Sequence, residues 1–266
     1  MLVVLLAYAA VGGVAGILAG LFGIGGGMVI IPMLVYGFAL QGVPQDIMMH
    51  LALATSMASI MFTAISSLLA HHRRGAVRWD IVRRITPGIL LGTLLGATVA
   101  SHLPTGFLKG FFVLFLYYVA YTLLLGKKPR PSRQLPGKAG MFGAGGGIGL
   151  VSSWVGIGGG TLAVPFMLSR NVAAHTAVGT SAAIGFPIAL AGTVGYVANG
   201  LAVPGLPAWS LGFVYLPALA GIVAASVLTA PYGVRLSHTL PVDRLKRAFA
   251  ALLLVVATHM AWSLLA

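Results

Sequence analysis

The chain has 266 residues, 59% of them hydrophobic and only 7% charged, with a mean hydropathy of +1.01; a soluble domain carries about a quarter charged residues, so a water-soluble fold is excluded. The formal charge of +13 would suit a nucleic-acid binder, but fourteen of the sixteen Lys and Arg sit in three clusters between apolar runs, as cytoplasmic loops do, and no nucleic-acid partner is expected. Without a cysteine, disulfides, thiolate catalysis and Cys-ligated metals are excluded, and no cofactor or metal is expected.

The first apolar stretch runs from 2 to 40 and starts without a basic n-region, so it is expected to be retained as a membrane segment. As one helix it would be about 58 Å long, roughly twice the hydrocarbon thickness, so it must turn back. The turn falls at Gly23-Ile24-Gly25-Gly26-Gly27, where a triple glycine breaks the helix and lets bare backbone approach its neighbours. A short return arm of about 20 Å, containing Pro32, follows. The second stretch, 47 to 70, has His50 near its start and then Thr55, and carries Ser56, Ser59, Thr63 and Ser66 or Ser67 at helical spacing, which makes one polar face. After the basic cluster of Arg73, Arg74, Arg78, Arg83 and Arg84 comes 85 to 101, whose Gly88, Gly92 and Gly96 form a ridge for close helix contact. The stretch 106 to 126, with Lys109 near its start, closes this half.

Residues 127–138 hold the second basic cluster with Pro129, Pro131 and Pro136, and read as a cytoplasmic linker. The stretch 139 to 170 contains Trp154, then Gly156-Ile157-Gly158-Gly159-Gly160 with Pro165, and ends at Arg170 and Asn171. The stretch 172 to 198 begins with His175, Thr176, Thr180 and Ser181. Stretches 209 to 230 and 248 to 266 flank the third basic cluster, Arg235, Arg244, Lys246 and Arg247. Trp79, Trp209 and Trp262 fall near segment ends, as an aromatic belt requires.

The halves repeat. The glycine run with its proline recurs at an offset of 133 residues, His50 with Thr55-Ser56 at 125, and Leu103-Pro104 with Lys109 at 137. Two repeats are therefore expected, 1–126 and 139–266. The loop at 71 to 84 is rich in Arg while its counterpart near 199 to 208 is uncharged, and the basic 235 to 247 loop matches an uncharged one at 101 to 106. Equivalent loops then lie on opposite membrane faces, the mark of inverted topology. The expected fold is an all-α polytopic membrane protein of two inverted-topology repeats, each with a glycine-broken helical hairpin plus about three transmembrane helices.

Each short arm begins just after its glycines, near Met28 and Thr161, so its first N–H groups lack intrahelical acceptors and the helix dipole adds partial positive charge there. Gly25, Gly26, Gly27 and Met28, with Gly158, Gly159, Gly160 and Thr161, are thus candidate anion-binding backbone. Neither run continues as a phosphate-loop motif. Thr55, Ser56, Thr180 and Ser181 repeat and are candidate hydroxyl donors, although such side chains also bond their own backbone. His50 and His175 are candidates for proton coupling or for simple capping. Lys109 and Lys246 fit snorkelling side chains, and Arg170 a helix cap or an anion guide. There is no Glu, and Asp46, Asp80 and Asp243 all lie near segment ends, which favours an anionic over a cationic substrate.

The paired G-x-G-G-G-x4-P motifs near the start of each half, with Thr-Ser behind each, resemble the TauE/SafE family over nearly the whole chain. The resemblance implies a transporter of the bacterial inner membrane, an exporter of sulfite or of an organosulfonate such as sulfoacetate. The expected function is therefore a secondary transporter of a small anion, working by alternating access at the paired turns, and not an enzyme. A passive anion channel is the alternative, and an intramembrane enzyme a weaker one for want of catalytic motifs. A homo-oligomer is compatible with the sequence.

Overall fold

The computed structural model describes residues 2–22, 26–125, 134–239 and 242–265; Gly25 and linker residues 127–133 fall outside it, and of Lys246 only the backbone is described. Among the described residues there are ten α-helices: α1 Leu2–Phe22, α2 Gly27–Leu40, α3 Gln45–His72, α4 Trp79–Ser101, α5 Thr105–Leu125, α6 Lys138–Val155, α7 Gly160–Ser169, α8 Ala174–Gly200, α9 Leu216–Thr239 and α10 Val242–Leu265. Before α9 lies a small antiparallel ribbon, β1 Ser210–Leu211 and β2 Val214–Tyr215, with Ser210 opposite Tyr215. Helices α3, α4, α5 and α8 and most of α9 and α10 are long and apolar enough to cross a membrane. The chain is an all-α, multi-pass membrane protein.

The two long apolar stretches divide where the glycines stand. Gly26 and Gly159 precede α2 and α7 with φ of 78° and 73°, and Gly156 ends α6 at φ 64°, a left-handed backbone that strains any residue with a side chain. Pro32 and Pro165 sit inside the short arms and remove the N–H that would bond the carbonyls of Met28 and Thr161. Both arms run back along their partners. Gly26 packs against Ala15, and Gln41 beyond the end of α2 donates to the Tyr8 hydroxyl at 2.8 Å. In the second hairpin Gly159 lies beside Ile148 and Ser152, while Arg170 reaches Gln134, ahead of α6.

Helices α3 and α8 cross at the centre and are the most buried spans. Around them α1 packs on α9, α6 on α4, and α5 on α10; α4 also covers α8, α9 covers α3, and the short arms α2 and α7 lie on α3 and α8. When α1–α5 are exchanged with α6–α10, each of these surrounding pairings maps onto another, except α5 with α10, which maps onto itself. The match extends to single residues. Gly12 abuts the Ile222 carbonyl as Gly145 abuts that of Ile85, and Gly233 abuts the Ile17 carbonyl as Gly96 abuts that of Leu150. These pairs keep the offsets of 133 and 137 seen in the sequence. Small residues permit this backbone-to-backbone approach, which drives association where lipid gives no hydrophobic advantage. The Gly88 and Gly92 ridge serves the same purpose against Phe142 and Gly146 of α6.

Candidate anion site at the two glycine turns

The turns meet in the protein interior. The space a side chain would need at Gly27 is filled by the Gly156 carbonyl, which accepts the Ser56 hydroxyl at 2.8 Å. Gly26, Gly27, Met28, Gly158, Gly159 and Gly160 are all buried, and Thr161 is half-buried. The first N–H groups of α2 and α7 therefore face a region from which water is largely excluded. Only two carboxylates have described side chains, Asp46 and Asp80, and both are exposed at helix starts. The starts of α2 and α7 carry partial positive charge with no described carboxylate beside them, while the end of α6 brings the Gly156 carbonyl to the same place.

Thr55 and Thr180 are fully buried and do equivalent work. The Thr55 hydroxyl oxygen accepts the N–H of Tyr215, just before α9, and the Thr180 oxygen accepts that of Arg78, just before α4, each at 3.0 Å. Ser181 donates to the Val178 carbonyl at 2.8 Å, while its counterpart Ser56 reaches the opposite turn. A further matched pair escaped the sequence reading: His71 Nε2 lies 3.3 Å from the Gly20 carbonyl, and the buried Tyr196 hydroxyl donates to the equivalent Ser153 carbonyl at 2.9 Å. The equal offsets would have found it, but a histidine matched to a tyrosine does not look like a repeat.

The histidines are placed differently from one another. His50 is buried, with Nε2 3.1 Å from the carbonyls of both Ala100 and Leu103, at the end of α4. His175 is exposed at the start of α8. Lys109 donates to the Ser263 carbonyl near the end of α10 at 3.0 Å. Arg170 lies over the Phe166 ring. Trp154 donates to the Gly96 carbonyl at 3.0 Å and packs edge-on against Phe107 and Phe111, so it braces α6 against α4 and α5.

On the α3 polar face Ser59 and Thr63 bond the carbonyls four residues back, Thr63 also meets Ser226 at 2.7 Å, and Ser66 bonds Val227. Ser67 does not join them. Its hydroxyl, like those of Ser152 and Thr161, is buried without a hydrogen-bond partner. Ser67 lines a cavity with Ala19, Ile60, Ala64, Gly158, Ala182 and Gly185. The cavity measures about 10 Å³, room for about one water molecule.

A family profile described as "Sulfite exporter TauE/SafE" matches residues 8–260. A "Probable membrane transporter protein" of Haemophilus influenzae is 38% identical over 252 residues, covering 94% of this chain and 95% of that one. The "Probable membrane transporter protein YunE" of Bacillus subtilis is 28% identical over 207 residues, 70% of this chain and 76% of that one. The "Probable membrane transporter protein MJ0441" of Methanocaldococcus jannaschii is 26% identical over 264 residues, 94% and 92% of the two chains. No solved structure matches the chain.

Proposed function

This chain belongs to the sulfite exporter TauE/SafE family and is a membrane transporter; from that premise we propose that it is a secondary carrier, not an enzyme, which exports a small oxyanion, sulfite or an organosulfonate such as sulfoacetate, across the bacterial inner membrane. One observation carries the reading: the start of α2 meets the other glycine turn at a buried contact between Gly27 and the Gly156 carbonyl, beside the Ser56 hydroxyl and with no described carboxylate near it, so the unbonded N–H groups that open α2 lie deep in the protein.

The anion's backbone contacts are assigned to Gly25, Gly26, Gly27 and Met28 on one side and to Gly158, Gly159, Gly160 and Thr161 on the other. Ser56 bonds the Gly156 carbonyl of the second turn, Ser181 bonds Val178 within α8, and Thr55 and Thr180 tie α3 and α8 to the starts of α9 and α4. Exchange of such bonds as the halves rock would open the site to each face in turn. The matched packing of α1 on α9 and α6 on α4 supports two repeats, and the opposite loop charges support their inversion. His50 and His175 are retained as candidates for proton coupling. Energy would come from the substrate gradient, the membrane potential or a coupled ion.

Purified protein in proteoliposomes tests the proposal. Unlabelled sulfite inside should accelerate uptake of labelled sulfite, and the anion should be recovered chemically unchanged. Unitary conductance would establish the passive channel instead, and altered product an enzyme; no movement of sulfite, sulfoacetate, sulfate or thiosulfate overturns the anion reading.

A further inference from the structure

We infer that the oxyanion takes its side-chain donors from one side, the hydroxyls of Ser67, Ser152 and Thr161 at the second turn, while the first turn offers it backbone alone; this rests on the anion-carrier reading above. A Ser or Thr in a membrane helix normally bonds a carbonyl three or four residues back, as Ser59, Thr63 and Thr193 do here. A buried hydroxyl that forgoes such a bond bears its full desolvation cost and calls for an explanation. Ser67 is 2% exposed and Ser152 0%, yet neither hydroxyl has a partner, nor has the buried hydroxyl of Thr161.

All three border the same turn. Ser67 lines the cavity whose wall includes Gly158, Ser152 lies beside Gly159, and Thr161 is in the first turn of α7. The offsets of 133 and 125 place Ala19, Met28 and Gly192 at the corresponding positions of the other half, and none of these side chains can donate a hydrogen bond. The repeat thus keeps its backbone on both sides but its spare donors on one. A sulfite or sulfonate group presents three equivalent oxygens, which suits three hydroxyls together with the free N–H groups of α7. The cavity of about 10 Å³ has room for about one oxygen atom, so full entry draws the second turn away from Ser67 on α3.

The test is calorimetric titration of sodium sulfite into protein held in nanodiscs, with Ser67→Ala, Ser152→Ala, Thr161→Val and, as the control, Thr193→Val. Loss of a hydrogen bond to a charged group corresponds to roughly ten- to a hundred-fold in affinity. Each hydroxyl deletion is expected to weaken sulfite binding at least ten-fold, while the melting temperature of the ligand-free protein stays level or rises, because an unpartnered polar group is removed. Thr193→Val, which removes a hydroxyl already bonded to its own helix, should bind within two-fold of the unaltered chain. The one-sided donor set is overturned if the three hydroxyl variants keep wild-type affinity, or if Thr193→Val loses as much as they do. Failure of the unaltered protein to bind or carry any of sulfite, sulfoacetate, sulfate and thiosulfate would remove the carrier reading itself.

Discussion

Gly27→Ala tests the contact between the two turns most directly. The added Cβ would run into the Gly156 carbonyl oxygen and stand 3.0 Å from Ser56 Oγ and 3.1 Å from Ile60 Cδ1. The Ile60 methyl can swing aside. The Gly156 carbonyl cannot, because it is backbone and moves only with its own hairpin. Overpacking a buried site costs about 1–3 kcal/mol. Weakening the bond from Ser56 to that carbonyl adds about 1 kcal/mol, and the better helix propensity of Ala returns about the same amount. The net loss is about 1–3 kcal/mol, a factor of roughly 5 to 150 in the folded-to-unfolded ratio. Gly147→Ala is the control, since a Cβ on that exposed α6 position meets nothing within 4 Å. Reversible unfolding by SDS in mixed micelles, followed by tryptophan fluorescence, gives both free energies. If Gly27→Ala unfolds together with Gly147→Ala, the turns do not meet as described.

Other perturbations follow from the same packing. Thr55→Val and Thr180→Val each leave a backbone N–H unbonded, at Tyr215 and Arg78, and should cost similar amounts, about 1–3 kcal/mol, in the same unfolding assay. Unequal losses by more than about 2 kcal/mol would argue against their equivalence. Asp80→Asn removes the ion pair with Arg78, but both side chains are more than 40% exposed, so water screens the pair and less than about 1 kcal/mol should be lost. Cysteines placed at the exposed Arg73 and Ala202 of this cysteine-free chain should react with a membrane-impermeant maleimide only from the cytoplasm and only from outside, respectively. Labelling of both from one face would refute the inverted arrangement.

The hairpins were legible because two physical limits act together: 39 residues exceed the bilayer, and the glycines leave one place to turn. The ridge at Gly88, Gly92 and Gly96 was legible as a contact, but not its partner, since small residues announce proximity without saying to what. Helix α4 begins at Trp79, ahead of the apolar stretch at 85, because Arg83 and Arg84 lie on its exposed side and helix does not require hydropathy all round. The ribbon at Ser210 to Tyr215 was hidden by its brevity. Whether a serine bonds its own helix is decided by rotamers and neighbours, so Ser67 and Ser152 could not be told from Ser59 or Ser66 until the packing was known.

The exchange of partners between the halves sets a timetable for synthesis. The α4–α6 and α1–α9 interfaces are built alike, yet α6 meets a neighbour made shortly before it, whereas α1 is completed roughly 200 residues before α9 exists. At about 5–20 residues per second, the first hairpin waits about 10–40 s in the bilayer with Gly12, Gly16 and Gly20 uncovered. During that interval its small-residue face is free to pair with a second nascent chain. Errors in assembly should therefore concentrate on α1, although the finished protein holds α1 and α6 in equivalent places.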